Sequence, residues 1–261
     1  MEIKDLRKQI ETETGSKVVD VVLSGGNGII SEEKKEIIHD KSVLMKVNGK
    51  IQSELSATPV DLPEMTAGWL CSRNLISQVD DIREITIMDA DEDGVKDADI
   101  VIDALIDDNS TKSKDKTPRE MIKIDAGWLI GMVENCNSEG PLRKRTAATH
   151  SCMLIEITDP PETKYKLLHC SEDTGRHTAM DKAIGYGLLY HVNLGRCILL
   201  TSGRISSNMI RKAAACHISA VLSIKQQTTM EAIAAAKENE IMLAGITGKG
   251  ELIIYERAGL I

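Results

Sequence analysis

Two stretches of the chain carry the residue types that hold phosphate. The first is Glu172-Asp173-Thr174-Gly175-Arg176-His177, the second Thr201-Ser202-Gly203-Arg204. In each, a glycine lets the backbone approach a ligand closely, and an arginine beside it offers a forked donor. His177 adds a group that titrates near neutrality. Each stretch joins a segment of strand character to one of helical character, and the free amides that open a helix favour an anion. Taken singly, the first is equally well a capped turn, with Asp173 or Thr174 as N-cap and Arg176 in a surface ion pair. Taken together, the two point to one anion or nucleotide site, because ligands of open α/β sheets collect at the edge where such loops meet.

Three other stretches have a weaker claim on chemistry. In Arg143-Lys144-Arg145-Thr146-Ala147-Ala148-Thr149-His150-Ser151-Cys152, His150 and Cys152 stand two apart on a strand and share a face. A cysteine beside a histidine can become a thiolate nucleophile; the alternative is an edge strand with an inert buried cysteine. Asp89-Ala90-Asp91-Glu92-Asp93-Gly94-Val95-Lys96-Asp97 matches the front of a calcium loop, but its twelfth position is Ile100, where a bidentate Glu is needed. A solvated acidic hairpin turn accounts for it better. The H-x-E and P-C-x-x-C ligand pattern of a zinc deaminase is absent, and the six cysteines show no zinc-ligand spacing, so no metal is expected.

The elements that must position these residues change character along the chain. Residues 1–40 read as a charged helix, a break at Gly25-Gly26-Asn27-Gly28, and a short polar helix. Val43 to Val47 and Lys50 to Leu55 read as a hairpin, since Asn48-Gly49 supplies the positive φ angles of a tight turn. Leu62 to Leu75 reads as a helix, Arg83 to Met88 and Asp99 to Leu105 as strands, and Asp107 to Lys116 as a polar linker. Thr117-Pro118-Arg119-Glu120 has the composition of a capping box opening a helix to about Val133. From Thr149 onward, strands at 152–157, 166–170, 197–201, 220–224, 241–246 and 251–255 alternate with helices at 177–190, 206–216 and 229–239, which implies βαβ crossovers. The expected division is an N-terminal α+β region with hairpins, residues 1–115, followed by an α/β cofactor-binding domain, residues 116–261.

Composition excludes several functions. The net charge of −8 does not suit a polyanion-binding protein, and with no Phe, four Tyr and two Trp, base stacking is not an available mode of nucleic-acid binding. No apolar run approaches the roughly 20 residues of a membrane span, and the N-terminus lacks a signal-peptide core. The cytoplasm is the expected location, with most cysteines small buried hydrophobes.

These residues resemble the formate dehydrogenase accessory protein family, sulfur carriers for the molybdenum cofactor. The family segment R-E-D-V-G-R-H-N-A-L-D-K-x-I-G is similar to Ser171 through Gly185 here. Its S-G-R-x-S loop is similar to Ser202-Gly203-Arg204-Ile205-Ser206, and its T-G-G-x-H strand entry to Thr146-Ala147-Ala148-Thr149-His150. Val47-Asn48-Gly49, Thr58-Pro59 and Ala67-Gly68-Trp69-Leu70 extend the match toward the N-terminus. The resemblance implies a three-layer fold like the cytidine deaminases but without zinc, and a homodimer. It also implies binding of the bis-molybdopterin guanine dinucleotide form of the molybdenum cofactor, with GDP or GTP as an analogue. By the same resemblance, sulfur passes from a cysteine desulfurase through a cysteine persulfide to the cofactor of formate dehydrogenase. It places cofactor contacts at Thr146, His150, Glu172, Asp173, Gly175, Arg176, His177, Ser202, Gly203, Arg204, Ile246, Thr247, Gly248, Lys249, Gly250 and Glu251.

The sequence departs from the family pattern in three places, one of them the C-terminal segment, which lacks the family's usual aromatic and arginine and offers Lys249 as the compensating cation. The family's C-x-x-C loop corresponds to Asp107 to Lys116, which contains no cysteine; Cys152 and Cys170 are the substitute candidates for sulfur transfer, and a cofactor-binding chaperone without sulfur transfer is the alternative. An unrelated nucleotide-binding enzyme is the third reading. At the strand entry, Ala147 and Ala148 stand where the family has glycines.

Overall fold

The computed structural model describes residues 1–8, 15–25, 28–107, 123–136, 140–158, 165–225 and 227–260. Two mixed sheets and a two-stranded ribbon form its β-structure. The first sheet has the order β1-β6-β7-β4-β5, from strands Glu2–Asp5 (β1), Lys41–Val47 (β4), Lys50–Ala57 (β5), Ile82–Asp89 (β6) and Ile100–Ile106 (β7). Strands Ser16–Gly25 (β2) and Gly28–Ile38 (β3) pair only with each other among the described residues. The β4–β5 turn is the one Asn48-Gly49 predicts, with φ of 49° and 74°.

The expected N-terminal helices are strands instead. Lys17 to Leu23 reads Lys-Val-Val-Asp-Val-Val-Leu, and its β-branched residues fit a pleated ribbon better than a helix. Of the glycine-rich break, Gly25 and Gly28 pair at the end of that ribbon, and Gly26 and Asn27 lie outside the described residues. A second correction concerns the helix expected from Thr117 to Val133. Its capping box and most of the polar linker lie outside the described residues. Helix α2 spans Ala126–Cys136; Lys123 to Asp125 before it are not helical, and Ile124 bridges to Leu260. Asp125 Oδ1 accepts a 2.6 Å hydrogen bond from the Gly127 amide, as a residue at a helix start does.

The second sheet has six strands in the order β13-β12-β11-β10-β8-β9: His150–Ile157 (β8), Tyr165–Asp173 (β9), Cys197–Thr201 (β10), Ala220–Ser223 (β11), Met242–Ile246 (β12) and Leu252–Glu256 (β13). Strands β10, β11 and β12 are parallel, joined through helices Ser207–Ala215 (α5) and Met230–Glu238 (α6). Helix Arg176–Leu189 (α4) follows β9, and a short helix, Pro141–Thr146 (α3), precedes β8. The mixed α/β class expected for this half holds.

One face of this sheet, with Cys152, Leu154, Leu199, Val221 and Leu243, joins a core shared with α4, α5, α6 and helix Leu62–Cys71 (α1). That core continues to Val43, Met45, Ile85, Ile87, Ile100 and Ile102 of the first sheet. The other face, with Met153, Ile155, Ile198, Leu200 and Leu222, is covered by Leu129, Met132 and Val133 of α2. Helices α1 and α4 touch backbone to backbone: a Cβ on Gly68 would lie 1.8 Å from the Asp181 carbonyl oxygen, and one on Gly185 1.7 Å from that of Glu64. The helix carrying Arg176 and His177 is thereby fixed against the first sheet's own helix. Among the described residues, no helix is long and apolar enough to cross a membrane.

Candidate functional site

Strand direction brings the expected site residues to one edge. Thr201, Ser223 and Gly245 stand side by side at the C-terminal ends of β10, β11 and β12. Strand β8 is antiparallel to β10, so it starts at the same edge; there His150 pairs with Asp173, the last residue of β9. The loops after β9, β10, β11 and β12 and the entry to β8 therefore share that edge, the position where open α/β sheets hold ligands.

Two of these loops are in contact. A Cβ added to Gly203 would lie 3.0 Å from Arg176 Cβ, 3.2 Å from Arg176 Cδ and 3.3 Å from His150 Nδ1. Ser202 locks this turn to β8: its Oγ accepts from the Ser151 amide at 2.9 Å, and its amide donates to the Ser151 carbonyl at 2.9 Å. The Gly203 amide donates to Thr201 Oγ1 at 3.1 Å, and Ser223 Oγ donates to the Gly203 carbonyl at 3.2 Å, joining the β10 and β11 loops.

The charge at this junction is positive. Burial lowers the His150 pKa first, and Arg176, Arg143 and Lys225 lower it further. Arg204 is exposed beside Gly203. The Nε of Arg176 is buried without a hydrogen-bond partner among the described residues. A buried, unmatched N–H of a cation costs free energy unless an acceptor arrives, which suits an incoming anion.

Other residues of the expected site are occupied within the protein. Glu172 accepts from the amides of Leu142 (2.9 Å) and Arg143 (2.7 Å) and from Thr149 Oγ1 (3.0 Å), so it holds the N-terminus of α3. Gly140 must lack a side chain there, because a Cβ would lie 2.0 Å from the Glu172 carboxyl carbon. Asp173 accepts from Lys182 Nζ (2.8 Å), the Thr58 amide (3.0 Å) and the Gly175 amide (2.8 Å). Burial pushes its carboxyl up in pKa, and the Lys182 ammonium pulls it back. Both acids shape the loop through these bonds. Thr146 donates to the Leu142 carbonyl at the end of α3. His177 Nε2 is 3.5 Å from Ser206 Oγ, and burial with Lys212 and Arg176 nearby pushes its pKa down to about 4. Ile246 ends β12, and Thr247 to Glu251 form the turn to β13. Thr247 Oγ1 accepts from the amides of Lys249 and Glu251, and Gly248 and Gly250 have open space around them. This turn stands two strands from β10, about 10 Å by sheet spacing, a distance a dinucleotide bridges.

The two cysteine candidates occupy poor surroundings for a thiolate. Cys152 is fully enclosed in the shared core, and burial drives its thiol far up. Burial and Glu172 push Cys170 up to about 11. The remaining cysteines, Cys71, Cys136, Cys197 and Cys216, are buried. In the acidic turn between β6 and β7, Lys46 pairs with Asp93, and Lys8 with Asp91 and Glu92.

Sequence reasoning missed Lys182, which is wholly buried and donates to the carbonyls of Thr58 (3.0 Å) and Glu172 (3.1 Å) besides Asp173. Its place three residues after Ala179, on the side of α4 that packs inward, was the available signal. Asp40 was missed as well. It accepts from Thr58 Oγ1 (3.1 Å) and Thr174 Oγ1 (2.6 Å), tying the loop to the segment between β3 and β4.

Known proteins of similar sequence and shape agree with this architecture. The "Sulfur carrier protein FdhD" of Bacillus licheniformis is 29% identical over 257 residues, spanning 88% of this chain and 91% of its own. The "Protein FdhD" of Methanocaldococcus jannaschii is 28% identical over 216 residues, 83% of this chain and 86% of its own. A crystal structure of a candidate formate dehydrogenase accessory protein from Desulfotalea psychrophila superposes with a TM-score of 0.72 at 22% identity. It covers 92% of this chain and 96% of that one, which establishes the shared fold. The profile of the FdhD/NarQ family matches residues 101–261, the segment that contains every loop of the shared edge. The chain belongs to the FdhD/NarQ family.

Proposed function

We propose that this protein acts in formate dehydrogenase maturation by binding the molybdenum cofactor, as bis-molybdopterin guanine dinucleotide, at the shared loop edge. The observation that carries this is the meeting of Arg176 with Gly203, with a buried Arg176 Nε that has no hydrogen-bond partner among the described residues. The donor set fits the group. Arg176, Arg204, Arg143 and Lys225 supply positive charge for a diphosphate, and the opening of α4 supplies amides. In this reading the Thr247–Glu251 turn meets the guanosine end. When bound, the cofactor supplies the metal chemistry of the client enzyme; this chain supplies charge, shape and exclusion of water. GDP and GTP are its accessible analogues. The relatives named sulfur carriers support the general role, and the three-layer comparison with zinc-free deaminase folds belongs to the same reading.

Delivery of the cofactor is favoured over relay of sulfur. Persulfide formation needs an accessible thiolate, whereas Cys152 and Cys170 are held protonated by burial. The test is to load the protein with a cysteine desulfurase and cysteine, measure its mass, and titrate it with GDP. Binding of GDP without added sulfur mass is the expected result. A persulfide on any cysteine overturns the delivery reading in favour of sulfur transfer. If GDP does not bind either, the cofactor site itself is refuted.

A further inference from the structure

His150 opens β8 at the junction of the two glycine–arginine loops, and four elements each bring a cation toward it. From α4 comes Arg176. A Cβ on Gly203 would lie 3.3 Å from His150 Nδ1 and 3.0 Å from Arg176 Cβ, so imidazole and arginine stem meet at one point. From α3 comes Arg143, whose guanidinium donates to the carbonyl of Thr149, the residue before His150. Lys225 follows β11. Its amide donates to Ser223 Oγ at 3.2 Å, and Ser223 Oγ donates to the Gly203 carbonyl at 3.2 Å. Arg204, in the loop after β10, is exposed next to Gly203 in the chain.

The two carboxylates at the end of β9 are engaged within the protein. Asp173 pairs with His150 across the strands, but its carboxylate holds Lys182 Nζ at 2.8 Å and the amides of Thr58 and Gly175. Glu172 holds the amides of Leu142 and Arg143. The imidazole is half-buried among these groups, where water screens their charges less than it would at the surface. It holds a proton poorly there. Burial lowers its pKa, Arg176, Arg143 and Lys225 lower it further, and Asp173 opposes them.

A diphosphate reverses this balance. Negative charge arriving beside Arg176 and Gly203 cancels the repulsion from the cations and offers an acceptor to the ring. A neutral imidazole presents one N–H donor, whereas the protonated ring presents two. We propose that His150 is the proton-linked group of this site: it is neutral in the free protein and takes a proton from solvent as a diphosphate binds, so that ligand and proton are bound and released together. Resting on the reading of this edge as a diphosphate site, the coupling adds a regulation to it. Binding takes up a proton, so acid favours the loaded protein and alkali favours release.

Proton NMR of the histidine rings, with GDP as the ligand, tests the coupling directly. The chain has six histidines, few enough to follow singly, and the signal lost in His150→Gln assigns the ring. His150→Asn serves the same purpose if the first variant does not fold. The titration midpoint of His150 should rise by about one pH unit or more when GDP saturates the protein, a tenfold gain in proton affinity of the size an opposite charge a few ångströms away produces. A midpoint that stays or falls, while other signals of the protein show GDP bound, overturns the coupling and leaves the diphosphate site standing. A rise confined to His177, which also lies near Arg176, overturns it as well. If no signal of the protein responds to GDP, the diphosphate site is refuted and the coupling falls with it.

Discussion

Lys182 Nζ lies 2.8 Å from Asp173 Oδ2, and neither side chain is exposed. The pair welds three pieces of chain together. Its lysine also holds the carbonyls of Thr58 and Glu172, and its aspartate the amides of Thr58 and Gly175. The first sheet's exit, the end of β9 and the start of α4 therefore meet at one buried charge pair. Removing one partner leaves an uncompensated buried charge, so Lys182→Met should cost about 3–5 kcal/mol in urea unfolding. Lys182→Met with Asp173→Asn should recover part of that loss, since the amide oxygen still accepts from Gly175 and carries no charge. A double variant no more stable than Lys182→Met would deny the ion pair this role.

The convergence of Arg176 and Gly203 predicts the anion site's energetics. A charge-assisted hydrogen bond is worth about 1.5–3 kcal/mol, so Arg176→Ala and Arg204→Ala should each weaken GDP binding by that amount in calorimetry. Gly203→Val should also weaken it, because its side chain would press on Arg176 and His150. Unchanged affinity in both arginine variants would put the site elsewhere.

Ala147 ends α3 with φ of 56°, a left-handed conformation that L-residues other than Asn and Asp seldom hold. The resemblance places a glycine at this position, where this chain carries an alanine. Ala147→Gly should raise stability by about 0.5–1 kcal/mol, the left-handed penalty less the entropy glycine adds to the unfolded chain. A midpoint that falls on this substitution would show that the angle is not strained in solution.

The legible parts of the fold are those whose signals are local. The βα alternation, the Asn48-Gly49 turn and both Gly-Arg loops follow from periodicity and from the conformational freedom of glycine. The N-terminal ribbon was not legible as strand, because the mixed Glu and Lys residues of β3 carry no period-2 apolar pattern. At the site, sequence located the loops but not the division of labour within them. Glu172, Asp173, Arg176 and His177 are adjacent polar residues in sequence. Only packing decides that the two acids point inward to α3 and Lys182 while Arg176 meets Gly203. Long-range partners such as Asp40 with Thr174, 134 residues apart, leave no local trace.

His177 gives the protein a predictable response to acid. Burial, with Lys212, Arg176 and Arg73 adding to it, holds its imidazole at about 4, below the ordinary value near 6.5. The unfolded chain therefore takes up a proton at this residue as pH falls from about 6.5, while the folded chain does not until about 4. Stability contributed by neutral His177 is complete above 6.5, declines through that window and is flat below it. The ring is partly open to solvent, so the loss is discounted to about 1–2 kcal/mol. Asp181, which pairs with Lys212 beside His177, has its carboxyl raised by burial and changes stability in the opposite direction over part of the range. The clean measurement is thus the difference between wild type and His177→Asn, in which the Asp181 contribution largely cancels. That difference should shrink in wild type's disfavour between pH 6.5 and 4; a difference independent of pH would mean the imidazole titrates normally in the folded protein.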